Sequence, residues 1–74
     1  MTLDQMEPGR EGVIRKLDTR DKVGARLLVM GVCPGTMLRV VRNAPLKDPM
    51  EVEIDGYFIS LRRSEARFVE VDPG

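Results

Sequence analysis

Residues 50–61, MEVEIDGYFISL, decide the fold. Met50, Val52 and Ile54 alternate with Glu51, Glu53 and Asp55, the period-two pattern of a strand with one face against a core. Asp55-Gly56 is a favoured central pair for a two-residue type I′ turn, so the stretch reads as a hairpin. With those two residues as the turn, the register follows. Ile54 opposes Tyr57, Val52 opposes Ile59 and Met50 opposes Leu61 on the inward face, while Glu53 opposes Phe58 and Glu51 opposes Ser60 on the outward one. Every inward pair is apolar or aromatic, as a one-sided sheet requires.

Upstream, residues 26–41 read RLLVMGVCPGTMLRVV. Val23, Leu27 and Met30 recur at helical spacing, and Asp21 is the expected N-cap, with Gly24 in the first turn. Gly31 suits the left-handed residue that closes a helix, and Pro34-Gly35 suits the centre of a type II turn. The strand expected over 36–43 turns Leu38 and Val40 inward and Arg39 outward. Before the helix, EGVIRKL (11–17) reads as a strand in which Ile14 and Leu17 are three residues apart. A bulge near Arg15-Lys16 brings both into the core. Thr2 to Gln5 matches a capping box, which predicts one helical turn with Leu3 and Met6 inward. Residues 44–49, APLKDP, form a loop. RRSEA (62–66) breaks the alternation as a short helical turn, and FVEV (68–71) is a last strand with Val69 and Val71 inward.

These elements predict a mainly β fold. The expectation is a small SH3-like five-stranded barrel, with one short α-helix after the first strand and a short helical turn before the last. Closure into a barrel would remove exposed strand edges, and the early position of the helix favours the SH3-like over the OB-like arrangement.

The chain has 74 residues, one domain's worth over 1–74. Twelve basic and twelve acidic residues cancel, unlike the net positive field of most phosphate-backbone binders. There is no histidine and a single cysteine, Cys33. That composition supplies no internal disulfide and points to a reducing compartment. The opening MTLDQMEPG lacks the basic and apolar regions of a signal peptide. The longest apolar run, Leu27 to Cys33 apart from Gly31, is far short of the roughly 20 residues of a membrane span. The expectation is a cytoplasmic protein without membrane insertion.

No nucleophile–base pair, P-loop or dinucleotide turn can be identified, so no catalytic residues and no cofactor are assigned. Glu51, Glu53 and Asp55 lie at alternate positions about 7 Å apart, which would hold a hard cation only weakly, and a lone thiol completes no transition-metal site. No metal ligands are assigned. Arg39, Arg42, Arg62, Arg63 and Arg67 are candidates for a basic rim. With three aromatic residues in the chain, stacking of single-stranded nucleic acid is disfavoured and docking on an acidic protein surface preferred.

Three motifs carry a resemblance. Arg26-Leu27 with Met30-Gly31 and Pro34-Gly35, then Ala44 to Pro49, then Leu61-Arg62 with Glu65-Ala66 occur in the order found in the FeoA family, ferrous iron transport protein A. They also resemble the SH3-like domain at the end of some metal-dependent repressors. Lys47 departs from the pattern, which usually has glycine there. No long N-terminal extension precedes the motifs, which favours free-standing FeoA over a repressor. The resemblance covers about Leu3 to Val71. It implies a cytoplasmic accessory of bacterial ferrous iron uptake that docks on the cytosolic GTP-binding region of the FeoB membrane transporter. An iron-binding carrier and a small-barrel nucleic-acid binder are the alternatives, and a weak homo-oligomer is left open. Leftover apolar residues and the basic rim give the candidate partner contacts: Leu28, Leu46, Lys47, Phe58 and Arg62.

Overall fold

In a computed structural model of the chain, which describes residues 1–43 and 48–74, the hairpin forms in the expected register. Strands β3 (Met50–Ile54) and β4 (Tyr57–Leu61) pair Ile54 with Tyr57, Val52 with Ile59 and Met50 with Leu61. Asp55 and Gly56 both take positive φ, 50° and 84°, as a type I′ turn demands. Strand β2 (Met37–Asn43) pairs antiparallel with β3 and with β1 (Glu11–Leu17). On its other side β1 pairs with β5 (Val69–Pro73). The register of β1 against β5 shifts between Ile14 and Lys16. Arg15 is therefore the bulge residue, and Ile14 and Leu17 are both buried.

Helix α1 (Lys22–Val29) begins where the Asp21 carboxylate accepts from the Val23 N–H at 2.9 Å. Leu27 is fully buried, with Val23 and Met30 half-buried beside it. Gly24 is needed for close approach, because a Cβ there would lie 1.6 Å from the carbonyl oxygen of Asp18. After the helix, the Thr36 N–H donates to Cys33 O at 3.1 Å around Pro34-Gly35. A 3₁₀ turn over Leu3–Gln5 buries Leu3, with Met6 just beyond it. The core is the inward row of each strand together with Leu3, Met6, Leu27, Val32 and Ala66.

Two expectations are corrected. The strands do not close into a barrel: the order is β4-β3-β2-β1-β5, an open sheet in which β4 and β5 are not paired. The expected helical turn before the last strand is a second helix, α2 (Arg63–Ala66), so the sheet carries two helices. The physical reason for the opening lies at β5. Its outer edge is already occupied by the N-terminal segment, where Thr2 bridges Glu70 and the Val71 N–H donates to Met1 O at 2.8 Å. β4, for its part, runs directly into α2, which packs against the 3₁₀ turn.

Tyr57 also departs from expectation. Although paired with the fully buried Ile54, it sits at the rim of the inward face and is 46% exposed.

Candidate functional site: an apolar end beside the hairpin

The last turn of α1 leaves apolar surface uncovered. Leu27 faces the core, but Leu28 is 43% exposed and Val29 is 88% exposed. The helix stops just beyond Val29 because Gly31 takes φ 102°, a conformation that L side chains rarely adopt. Gly31 has a second role. A Cβ on it would meet the Tyr57 hydroxyl at 2.3 Å, so the missing side chain makes room for the Tyr57 ring. The hydroxyl donates to Met30 O at 3.4 Å. Tyr57 thereby ties the tip of the hairpin to the C-terminal end of α1, the end that carries the exposed Leu28 and Val29. The next residue, Phe58, is 57% exposed on the opposite face of the same strand. Apolar surface therefore wraps around β4 near the turn.

Of the sequence candidates, Leu28 lies on this end and Phe58 lies round the strand from it. Arg62 is exposed at the far end of β4, where its backbone N–H donates to Glu65 Oε1 at 2.8 Å and starts α2. Leu46 and Lys47 lie outside the described residues. Val29 and Tyr57 were missed. Val29 adjoins the Val23–Leu27–Met30 stripe in sequence yet points away from it, which the helical period itself could have shown. Strand parity places Tyr57 inward, but parity does not tell rim from centre.

Two arginines of the basic rim, Arg39 and Arg42, face acidic side chains. Arg39 donates to Glu53 Oε1 from Nη2 at 2.7 Å and from Nε at 3.2 Å, across the β2–β3 pair. Arg42 approaches Glu51 to 3.9 Å, one step along the same pair. Glu51 and Glu53, considered above as cation ligands, are thus facing arginines. Among the described residues no group of three His, Cys, Asp or Glu side chains is placed to hold a metal ion. Arg26 pairs with Glu65 and joins α1 to α2. The Arg63 guanidinium reaches Asp4 O, and its backbone N–H donates to Asp48 Oδ1 at 2.8 Å.

A second concave feature, an open groove of about 830 Å³, lies between the β1–α1 connection and the α2–β5 side, lined by Lys16, Asp18, Arg20, Ser64, Arg67 and Phe68 among others. Its electrostatics are local. Arg20 donates to Asp18 Oδ1 and Oδ2 at 3.0 Å each, and its backbone N–H adds a third bond at 3.1 Å. The Arg20 side chain first, and then that N–H, hold the Asp18 carboxyl down at about 2 from the ordinary 3.8, against a small opposing effect of partial desolvation.

The FeoA domain matches residues 1–73. The chain belongs to the FeoA family. It is 38% identical over 72 residues to the Fe(2+) transport protein A/Fe(2+) transporter FeoB fusion protein of Porphyromonas gingivalis, a match covering 97% of this chain and 8% of that protein. The fold superposes with a TM-score of 0.80 on the Stenotrophomonas maltophilia FeoA, a prokaryotic SH3 domain protein solved with zinc, at 30% identity and covering 97% and 89% of the two chains. A manganese-dependent transcriptional repressor shares the fold alone, with a TM-score of 0.90 at 20% identity, covering all of this chain and 36% of the repressor. The SH3-like architecture, and the recurrence of this fold in a repressor, agree with the sequence reading. Several shared motif positions now have scaffold roles in this FeoA domain: Gly31 closes α1 and receives Tyr57, Glu65 joins the two helices, and Ala66 is fully buried. No helix among the described residues is long and apolar enough to cross a membrane.

Proposed function

We propose that this FeoA domain is a cytoplasmic accessory of ferrous iron uptake that docks on the cytosolic GTP-binding region of a FeoB-type transporter. The observation that carries the reading is the Porphyromonas gingivalis relative, in which a FeoA region and a FeoB transporter share one chain. Fusion of two units keeps them at high effective concentration, which is useful when the units bind each other. The domain is a binding module rather than an enzyme.

The surface best suited to docking is the apolar end formed by Leu28, Val29 and Tyr57, with Phe58 round the strand and Arg62 at its margin. Val29 is the most exposed of the large apolar residues in the described chain. A few residues carry most of the energy of an interface, and tyrosine and arginine are over-represented among them, which makes Tyr57 and Arg62 the anchors around the Leu28–Val29 surface. The strand acids favour no carrier reading, since Glu51 and Glu53 already face arginines.

Titration calorimetry against the soluble cytosolic domain of FeoB, with GDP and with a non-hydrolysable GTP analogue, tests the proposal. Saturable binding is expected. Val29→Lys, which places a cation favourably at a helix C-terminus, is expected to weaken that binding about tenfold, or about 1.4 kcal/mol, with unfolding stability changed by less than about 0.5 kcal/mol. Absence of binding by the unmodified domain in either nucleotide state defeats the docking reading. Binding that survives Val29→Lys unchanged moves the contact to another face.

A further inference from the structure

The open sheet leaves one edge without the protection given to the other. The residues flanking a two-residue hairpin turn exchange hydrogen bonds with each other, and the pattern then alternates along the pair. In β4 this turns the N–H and C=O groups of Phe58 and Ser60 away from β3. Among the described residues no other element takes those groups. Edge strands in soluble proteins are normally blunted by charge, proline, a bulge or a cover. β4, with the sequence YFISL and an uninterrupted register, has none of these devices within it.

The flanks of β4 indicate what pairs with it. Asp55 stands just before the strand and Arg62 just after it. Both follow the outward parity: Asp55 continues Glu51 and Glu53, and Arg62 continues Phe58 and Ser60. Neither side chain has an ion-pair partner among the described residues. An antiparallel copy of the same strand, centred on Ile59, sets Phe58 opposite Ser60 of the second copy and Ser60 opposite its Phe58. Each of these residues then exchanges its free N–H and C=O across the two-fold axis. The same register brings Arg62 of one copy alongside the Asp55-Gly56 turn of the other, at both ends. A parallel copy would align like charges instead. The strand contributes no charge of its own to repel its mate.

We propose that β4 is a self-pairing edge, through which two copies of this chain join antiparallel, β4 to β4, into one continuous sheet. The strand is short, so the interface falls well below the size of a permanent dimer and forms at high local concentration only. An isologous contact of this kind closes on itself and does not propagate into fibres.

The test uses the whole chain alone, by sedimentation equilibrium and by NMR of the backbone amides from about 10 µM to about 1 mM, because self-association depends on protomer concentration. Concentration-dependent dimer formation is expected, with the Phe58 and Ser60 amides showing the largest shifts and the largest gain in exchange protection. Ser60→Lys places the edge cation that β4 lacks and is expected to raise the dimer dissociation constant at least about tenfold. Asp55→Asn keeps a favourable turn residue while removing the flanking charge. It is expected to loosen the dimer by about two- to fivefold, an effect that salt also produces. A chain that stays monomeric throughout overturns the proposal. So does a dimer that ignores Ser60→Lys and leaves the Phe58 and Ser60 amides unchanged, since its interface is then elsewhere. If those amides respond only when the cytosolic domain of the transporter is added, the edge belongs to a strand of that partner, and self-pairing is wrong.

Discussion

Along the outer edge of β5 the chain lays its own N-terminal segment, whereas along the outer edge of β4 the described residues lay nothing. At β5, Thr2 and Met1 bond to Glu70 and Val71, and Leu3 and Met6 beside them are 1% and 2% exposed. Apart from Met1, which is 45% exposed, the apolar groups there serve the core. At β4 the large groups near the strand, Tyr57 and Phe58, are about half exposed. The chain therefore invests its scarce apolar surface unevenly. A domain of this size needs nearly every aliphatic residue for its core, and those left outside are concentrated where one end of α1 meets the bare edge. Val13 and Met37 also face each other, exposed, on the outer side of the β1–β2 pair.

The largest expected effect breaks the covered edge. Leu3→Ala removes a fully buried side chain and is expected to cost about 2–5 kcal/mol, a large share of the roughly 4–11 kcal/mol that a domain of this length possesses. Phe58→Ala, at the bare edge, is expected to change stability by less than about 0.5 kcal/mol. Urea unfolding of the two variants side by side measures the contrast. Equal losses would mean that the two edges contribute alike and that the asymmetry is only apparent.

Much of this arrangement could be read from residue order. The hairpin register, the Arg15 bulge, the Asp21 cap and the inward rows of β2 and β5 all follow from local rules: period two, turn chemistry and helix capping. What failed was non-local. Whether a five-stranded sheet closes depends on what occupies the edge of β5, and the answer lies some seventy positions away at Thr2 and Met1. Nothing in the pattern TLDQ says that it will lie against Glu70. The candidate contacts divided for a similar reason. Leu28 and Phe58 are exposed, as expected, because helical angle and strand parity report direction. Val29 was within reach of the same helical angle, whereas Tyr57 was missed because exposure at a rim depends on which element ends first, and α1 ends at Gly31 under the Tyr57 ring.

That junction supplies the next prediction, since Tyr57 is the side-chain tie from β4 to the helix. Gly31→Ala places a methyl group where the Tyr57 hydroxyl lies, at a positive φ that already disfavours alanine. The expected cost is about 1–3 kcal/mol. Tyr57→Phe removes the closest colliding atom, the other ring atom near that position being 3.5 Å away. The double variant is therefore expected to recover part of the loss, leaving the backbone component. A double-mutant cycle by thermal unfolding reads this directly. Strict additivity of the two substitutions would show that ring and glycine do not meet, and Tyr57 would then not tie β4 to the helix.

The smallest effect sharpens the covered side, where the β1–α1 connection meets the start of β5. The Asp18 N–H donates to Phe68 O at 3.1 Å, and its carboxylate is held by Arg20. Because the Asp18 carboxyl is lowered in the folded protein to about 2 from 3.8, the unfolded chain takes up this proton first as pH falls. The contribution of the pair is therefore complete above pH 3.8. It declines as pH falls below that value and is gone once pH passes through about 2. Carbon-detected NMR of the Asp18 carboxyl should give a midpoint near 2, and Arg20→Ala should return it toward the ordinary value. Asp18 is too open to solvent for the ion pair to act strongly on the fold, so Arg20→Ala should leave neutral-pH stability nearly unchanged and flatten its decline only in that acid window. An ordinary midpoint in the unmodified chain would mean that the bidentate contact does not persist in solution. The Asp18 N–H bond to Phe68 O would then hold that corner without the side-chain pair.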